Sequence, residues 1–128
     1  MKTLMTLAAA AAMVTTLAFA QGAAQAIKGT LIDNACANPK MSQADLAKHD
    51  KSCLQEEECE TAGYAVMTAN GTLFKFDEKG NALAKAQIEA SSKSDDFKVT
   101  VVGAPKGEVF AVTSRPVEVS ITPGTSFR

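Results

Sequence analysis

Tryptophan is absent from this 128-residue chain, and aromatic residues make up only 5% of it. Proteins that bind single strands without reading their sequence need exposed aromatic faces on which the bases stack. The formal net charge is −1 at pH 7, and no cluster of lysine and arginine offers the counterion release that drives binding to nucleic acid. The composition therefore argues against a nucleic acid partner.

Motifs for catalysis are scarce as well. The chain has one histidine, His49, and three cysteines, Cys36, Cys53 and Cys59. The cysteines form no Cys-x-x-Cys redox pair, and no glycine-rich phosphate loop is present. Because a single histidine leaves few general bases, the sequence predicts a protein that is not an enzyme.

The N-terminus has the pattern of a secretory signal peptide. One lysine precedes an apolar run from Leu4 to Ala20, and small-residue cleavage patterns end at Ala20 and at Ala26. We expect residues 1–26 to be a signal peptide, cleaved after Ala20 or Ala26, and the protein to be periplasmic or secreted. The run barely reaches the length of a membrane span, so we expect no span after cleavage. The remaining residues 27–128 are enough for one domain with one core.

Alternating apolar and β-branched residues predict five strands in this domain. The first is "IKGTLID", kinked at Gly29. The second and third form a hairpin around Asn70-Gly71, a pair suited to positive φ. "EKGN" then predicts a turn and 82–90 a helix. "FKVTVVGA" and "EVFAVTS" are the last two strands, and the tail "PVEVSITP" extends the last strand or adds another.

This order is strand, helical insert, strand, strand, helix, strand, strand. It predicts a mainly β fold with one or two helices, arranged as a small OB-like barrel. An open sheet with two helices packed on it is the alternative. The insert, residues 34–62, carries all three cysteines. Ser42, with Asp45 three residues later, predicts the N-terminal cap of a helix in this insert. The helix either continues through the insert or breaks before Cys59.

Four segments carry a resemblance to a known family: "GTLIDNAC", "KHDKSCLQEEECETAGYAV", "GTLFKFDEKGN" and "DDFKVTVVG". The chain resembles a family of small secreted bacterial proteins of unknown function with a Gly-x-Leu-x-Asp-x-x-Cys start and a His-x3-Cys-x5-Cys-x3-Gly-Tyr segment. The resemblance implies an export route and a small β-rich fold, and no particular activity. It directs attention to seven positions: Asp33, Cys36, His49, Cys53, Cys59, Gly63 and Tyr64.

The first interpretation is that two of the cysteines form a disulfide, because export places them in an oxidising compartment. On one continuous helix, Cys53 and Cys59 would be about 9 Å apart along the axis and on different faces, too far for a bridge. Cys36 would then pair with one of them. If the helix instead stops near Cys53, a disulfide between Cys53 and Cys59 would close a small loop.

The second interpretation is that the cysteines and the histidine form a soft-metal site. His49 and Cys53 are four residues apart and would share one face of a helix, and Cys36 and Cys59 could complete a set of three thiolates and one imidazole. Such ligands suit zinc or cuprous copper. Otherwise we expect no cofactor.

The third interpretation is catalysis by a Cys53 thiolate that His49 activates. The acidic residues around them, including Glu56, Glu57 and Glu58, oppose formation of a thiolate. These glutamates are expected to form a solvated face. We therefore expect an exported, non-enzymatic binding or accessory module of the cell envelope, whose ligand or partner protein the sequence does not identify, with a soft-metal-binding protein as the alternative.

Overall fold

Six strands and four helices make up the part of the chain that the structure describes. The computed structural model describes residues 23–119. Its elements in chain order are β1 (Gln25–Asp33), α1 (Gln43–Lys48), α2 (Lys51–Leu54), α3 (Glu57–Ala62), β2 (Tyr64–Met67), β3 (Leu73–Lys75), α4 (Glu78–Ala90), β4 (Lys98–Lys106), β5 (Val109–Val112) and β6 (Val117–Glu118).

One antiparallel sheet has the order β3-β2-β1-β4-β5, with β6 also paired to β4. The central strand β1 pairs with β4 through its first six residues, up to Thr30, and with β2 through its last four, Thr30 to Asp33. Gly29 lies at this change of partner, where an added Cβ would be 2.3 Å from the carbonyl oxygen of Met67. The close approach of two backbones explains a glycine in mid-strand.

The mainly β prediction is confirmed, but the predicted OB-like barrel is not closed. Directly after the outer strand β3, Phe76 forms one isolated bridge with Phe110 of the other outer strand, β5. The amide of Asp77 donates to the carbonyl of Phe110 at 3.2 Å, and the side chain of Asp77 then caps α4. Because the chain turns into a helix directly after this bridge, β3 is too short to continue the pairing, and the sheet remains open.

The helices depart from the predicted one or two. The insert holds three short helices, of which α1 begins at Ser42 with the predicted capping box. His49 ends α1 in an extended conformation, and Asp50 caps α2. The predicted turn "EKGN" is wrong, since it forms the first turn of α4. The predicted hairpin is present, with Gly71 at φ +83°.

Core residues lie on both faces of β1. Leu31 belongs to the larger cluster, which includes Leu54 of the insert and Ile88 of α4. Its neighbour Ile32 belongs to a second cluster with Leu46 of α1, as expected for successive strand residues that point to opposite faces. The insert therefore contributes to both cores. Within residues 23–119, no helix has the length and apolar character to cross a bilayer. The predicted signal peptide lies almost wholly outside the described residues.

Candidate functional site

The site is built around Asp33, the last residue of β1. Its side chain is fully buried, where an unpaired carboxylate would be costly. One carboxylate oxygen, Oδ1, accepts the backbone N–H of Cys36 at 2.8 Å. The other, Oδ2, shares a hydrogen bond of 2.7 Å with Nε2 of His49. Asp33 therefore joins the end of the central strand to two points of the insert.

The turn after β1 brings Cys36 back over this carboxylate. The amide of Ala37 donates to the carbonyl of Asp33 at 3.0 Å, and the amide of Asn34 donates to the carbonyl of Gly63 at 2.8 Å. The side chain of Asn34 also donates to the carbonyl of Ala62 at 3.0 Å. These bonds hold the turn against the C-terminal end of α3, the helix that carries Cys59.

Cys59 is buried and faces the same carboxylate. Its sulfur, the sulfur of Cys36 and a carboxylate oxygen of Asp33 all lie within 4.8 Å of one another. Helix α3 ends at Gly63, whose φ of +84° suits glycine. We call Asp33, Cys36 and Cys59 the Asp–Cys cluster. It joins three segments that are distant in sequence.

His49 lies beside this cluster, with its side chain 9% exposed. The predicted helical spacing of His49 and Cys53 is wrong, because α1 ends at His49 and α2 begins at Lys51. The imidazole instead contacts the carboxylate of Asp33. His49 therefore approaches Cys36 and Cys59 through a shared partner.

Charge and burial set the ionisation of the cluster. Burial raises the pKa of Asp33, but hydrogen bonds from Cys36, His49 and Cys59 outweigh it and hold the pKa below the ordinary value of 3.8. Burial and the nearby Asp33 charge raise the pKa of Cys36, and they raise the pKa of Cys59 to about 12. Both thiols are therefore protonated at neutral pH, unlike the thiolate of a nucleophilic cysteine.

Cys53 lies outside the cluster. Its backbone N–H donates to Oδ1 of Asp50 at 2.8 Å, and the Asp50 side chain raises the pKa of the Cys53 thiol. Of the four predicted ligands, the structure gathers Cys36 and Cys59 directly and His49 through Asp33. The predicted set therefore stays a prediction, and Cys53 does not belong to the group formed by Asp33, Cys36 and Cys59.

Asp33 was not predicted as a ligand from the sequence. The available signal was a carboxylate at a strand end, on the side of β1 opposite its buried neighbour Ile32, followed three residues later by a cysteine. The glutamates Glu56, Glu57 and Glu58 are exposed, as predicted.

Several cavities lie at the surface of residues 23–119. Four cavities of about 600, 450, 300 and 160 Å³ occur among the described residues. None of these four is lined by Asp33, Cys36 or Cys59.

Comparison with family models, curated proteins and solved structures gave no match to this chain. The resemblance to small secreted bacterial proteins therefore stays a prediction.

Proposed function

We propose that this protein is an exported, non-enzymatic binding module of the cell envelope whose ligand is one soft metal ion, zinc or cuprous copper. The observation that carries the proposal is the Asp–Cys cluster, in which two sulfurs and a carboxylate oxygen lie within 4.8 Å of one another. These three atoms could move onto a single ion by side-chain rotation, since metal–ligand distances are about 2.0–2.3 Å.

The chemistry of these atoms supports a soft or borderline ion. Thiolates select zinc and cuprous copper over magnesium and calcium, which prefer oxygen ligands. The pKa of both thiols is raised by burial and by Asp33, and a bound cation would offset that charge and displace the thiol protons. In this proposal Cys36, Cys59 and Asp33 bind the ion.

His49 acts on the carboxylate. A histidine that hydrogen-bonds a ligating carboxylate fixes its orientation, and loss of such a partner costs about 10–100-fold in metal affinity. The contact of 2.7 Å between His49 Nε2 and Asp33 Oδ2 supports this role for His49. We assign His49 the role of a positioning residue.

A disulfide-stapled accessory module that contacts an envelope protein is the second candidate. The observation that favours it is the same closeness of Cys36 and Cys59. A bridge there would join the end of β1 to α3 and fix the insert on the sheet. Export, a periplasmic or secreted location and an envelope partner remain proposals in both cases.

Metal titration of the reduced protein tests the proposal. Zinc should bind with a stoichiometry of one ion per chain, measured by competition with a chromophoric chelator. Cys36→Ser and Cys59→Ser should each weaken binding at least tenfold, and His49→Gln should weaken it about 10–100-fold. Cys53→Ser is the matched control and should bind as the parent protein does. Equal affinity in all four variants, or a loss only in Cys53→Ser, would overturn the proposal.

A further inference from the structure

Two of the three cysteines are placed to react with each other. The sulfurs of Cys36 and Cys59 lie within 4.8 Å, although 22 residues separate them in the chain. All three thiols are free in the structure. Rotation of the two side chains is a small change compared with the folding of two distant segments onto each other, so the fold itself selects this pair.

The third cysteine is placed elsewhere. Cys53 lies in α2, where its amide and thiol both contact Asp50. Gln55 and Glu56 separate α2 from α3, so Cys53 and Cys59 are not on one helix. Among the three possible pairs, only Cys36 and Cys59 share a cluster.

We propose that Cys36 and Cys59 form a reversible disulfide, and that this bridge and the bound metal ion exclude each other, with Cys53 left as a free thiol. The pairing stands on the geometry alone, whereas the exclusion of metal rests on the proposed function. The protein would thus bind a soft ion only when this pair is reduced.

The oxidant is a small disulfide such as oxidised glutathione. Cys36 is exposed, whereas Cys59 is buried, so the small thiolate fraction of Cys36 attacks the small disulfide first. This step forms a mixed disulfide and releases one glutathione thiol. Cys59 then attacks the sulfur of Cys36, forming the bridge and releasing the second glutathione thiol. Two electrons pass to glutathione disulfide, and each cysteine proton ends on a released glutathione.

Metal loss follows from the same step. A bridged sulfur is no longer a thiolate, so the ion loses two of its three ligands and retains only Asp33. When the zinc form is oxidised, Zn²⁺ leaves the two cysteine sulfurs, and the two released glutathione thiolates each take one proton from solvent. A lone carboxylate in contact with His49 is a poor site for a soft ion.

Oxidation of the reduced full chain by glutathione disulfide tests the inference. After quenching by acid and alkylation, intact mass should show one bridge, a loss of about 2 Da for the two hydrogens removed, and one alkylated thiol. Peptide mapping should place the bridge between Cys36 and Cys59 and the alkyl group on Cys53. Cys53→Ser should oxidise at the parent rate. Saturating zinc should slow the reaction at least tenfold, and the bridged form should not bind zinc.

The outcomes separate the two proposals. If the bridge forms between Cys36 and Cys59 but the reduced protein does not bind zinc, the proposed function fails and the pairing stands. If the reduced protein binds zinc and oxidation links another pair or none, the inference is overturned. Zinc binding by the bridged form at parent affinity would overturn the exclusion.

Discussion

The carboxylate of Asp33 lies between a histidine and two thiols, and its charge raises the pKa of both thiols. Its position is the least predictable feature of the cluster. A buried aspartate at a strand end can only be recognised once the partners that satisfy it are known, and these come from a turn and two helices of the insert. The sequence indicated the residue types, whereas the fold determined which of them meet.

Removal of the Asp33 charge should change the pH at which Cys36 reacts. A raised pKa means that the thiolate appears only at higher pH, and burial and Asp33 both raise the pKa of Cys36. In Asp33→Asn we expect the alkylation rate of Cys36 to rise at neutral pH, with its rate–pH curve shifted to lower pH. A fall of one pKa unit gives about tenfold more thiolate.

Iodoacetamide labelling across pH, resolved by peptide mass, measures this shift. Cys53 in the same chain is the internal control, because Asp50 rather than Asp33 acts on it. An unchanged curve for Cys36, or an equal shift for Cys53, would contradict the role assigned to Asp33.

At the scale of elements, local signals predicted the structure well where neighbours along the chain supply the contacts. The pair Asn70-Gly71 predicted the hairpin, and the capping box of Ser42 and Asp45 predicted the start of α1. The start of α4 was missed because Gly80 and Asn81 are typical of turns. In the fold Asp77 caps the helix at Gly80, and Asn81 accepts the amide of Tyr64. Tertiary contacts override the local preference there.

Tyr64 connects β2 to the insert. Its buried hydroxyl donates to the carbonyl of Leu54 at 2.7 Å. Tyr64→Phe would leave that carbonyl without its partner, and we expect the free energy of unfolding to fall by about 1–2 kcal/mol. Urea unfolding measures this change. Ser52→Ala removes an exposed hydroxyl and should change it by less than about 0.5 kcal/mol. If Tyr64→Phe were as stable as the parent protein, the stabilising role of this hydrogen bond would be contradicted.

At the scale of the whole molecule, the strand content was predictable and the closure of the sheet was not. Closure depends on the register between β3 and β5, which are separated by α4 and β4 and meet at one bridge. The ring of Phe74 packs edge-on against Phe110 at 5.6 Å between centroids. β3 and β5 are thus in contact through side-chain packing and not through continuous strand pairing.

The sheet also distinguishes the two predicted cleavage sites. Strand β1 begins at Gln25, and Gln25 and Ala26 pair with Gly103 and Val102 of β4. Cleavage after Ala26 would remove two paired residues from the central strand. We therefore expect the proposed signal peptide to be cleaved after Ala20, so that the mature chain starts at Gln21. The mass of the exported protein checks this, and a chain that starts at Ile27 would contradict it.

The proposed metal site is formed by Cys36 and Cys59, and not by Cys53. Titration of the reduced protein with cobalt(II), followed through thiolate-to-metal charge-transfer absorption, tests it most directly because the absorption reports sulfur bonded to the ion. We predict saturation at one cobalt per chain, an unchanged spectrum in Cys53→Ser, and loss of most of the absorption in Cys36→Ser and in Cys59→Ser. No charge-transfer absorption in the parent protein, or its loss in Cys53→Ser alone, would contradict the claim.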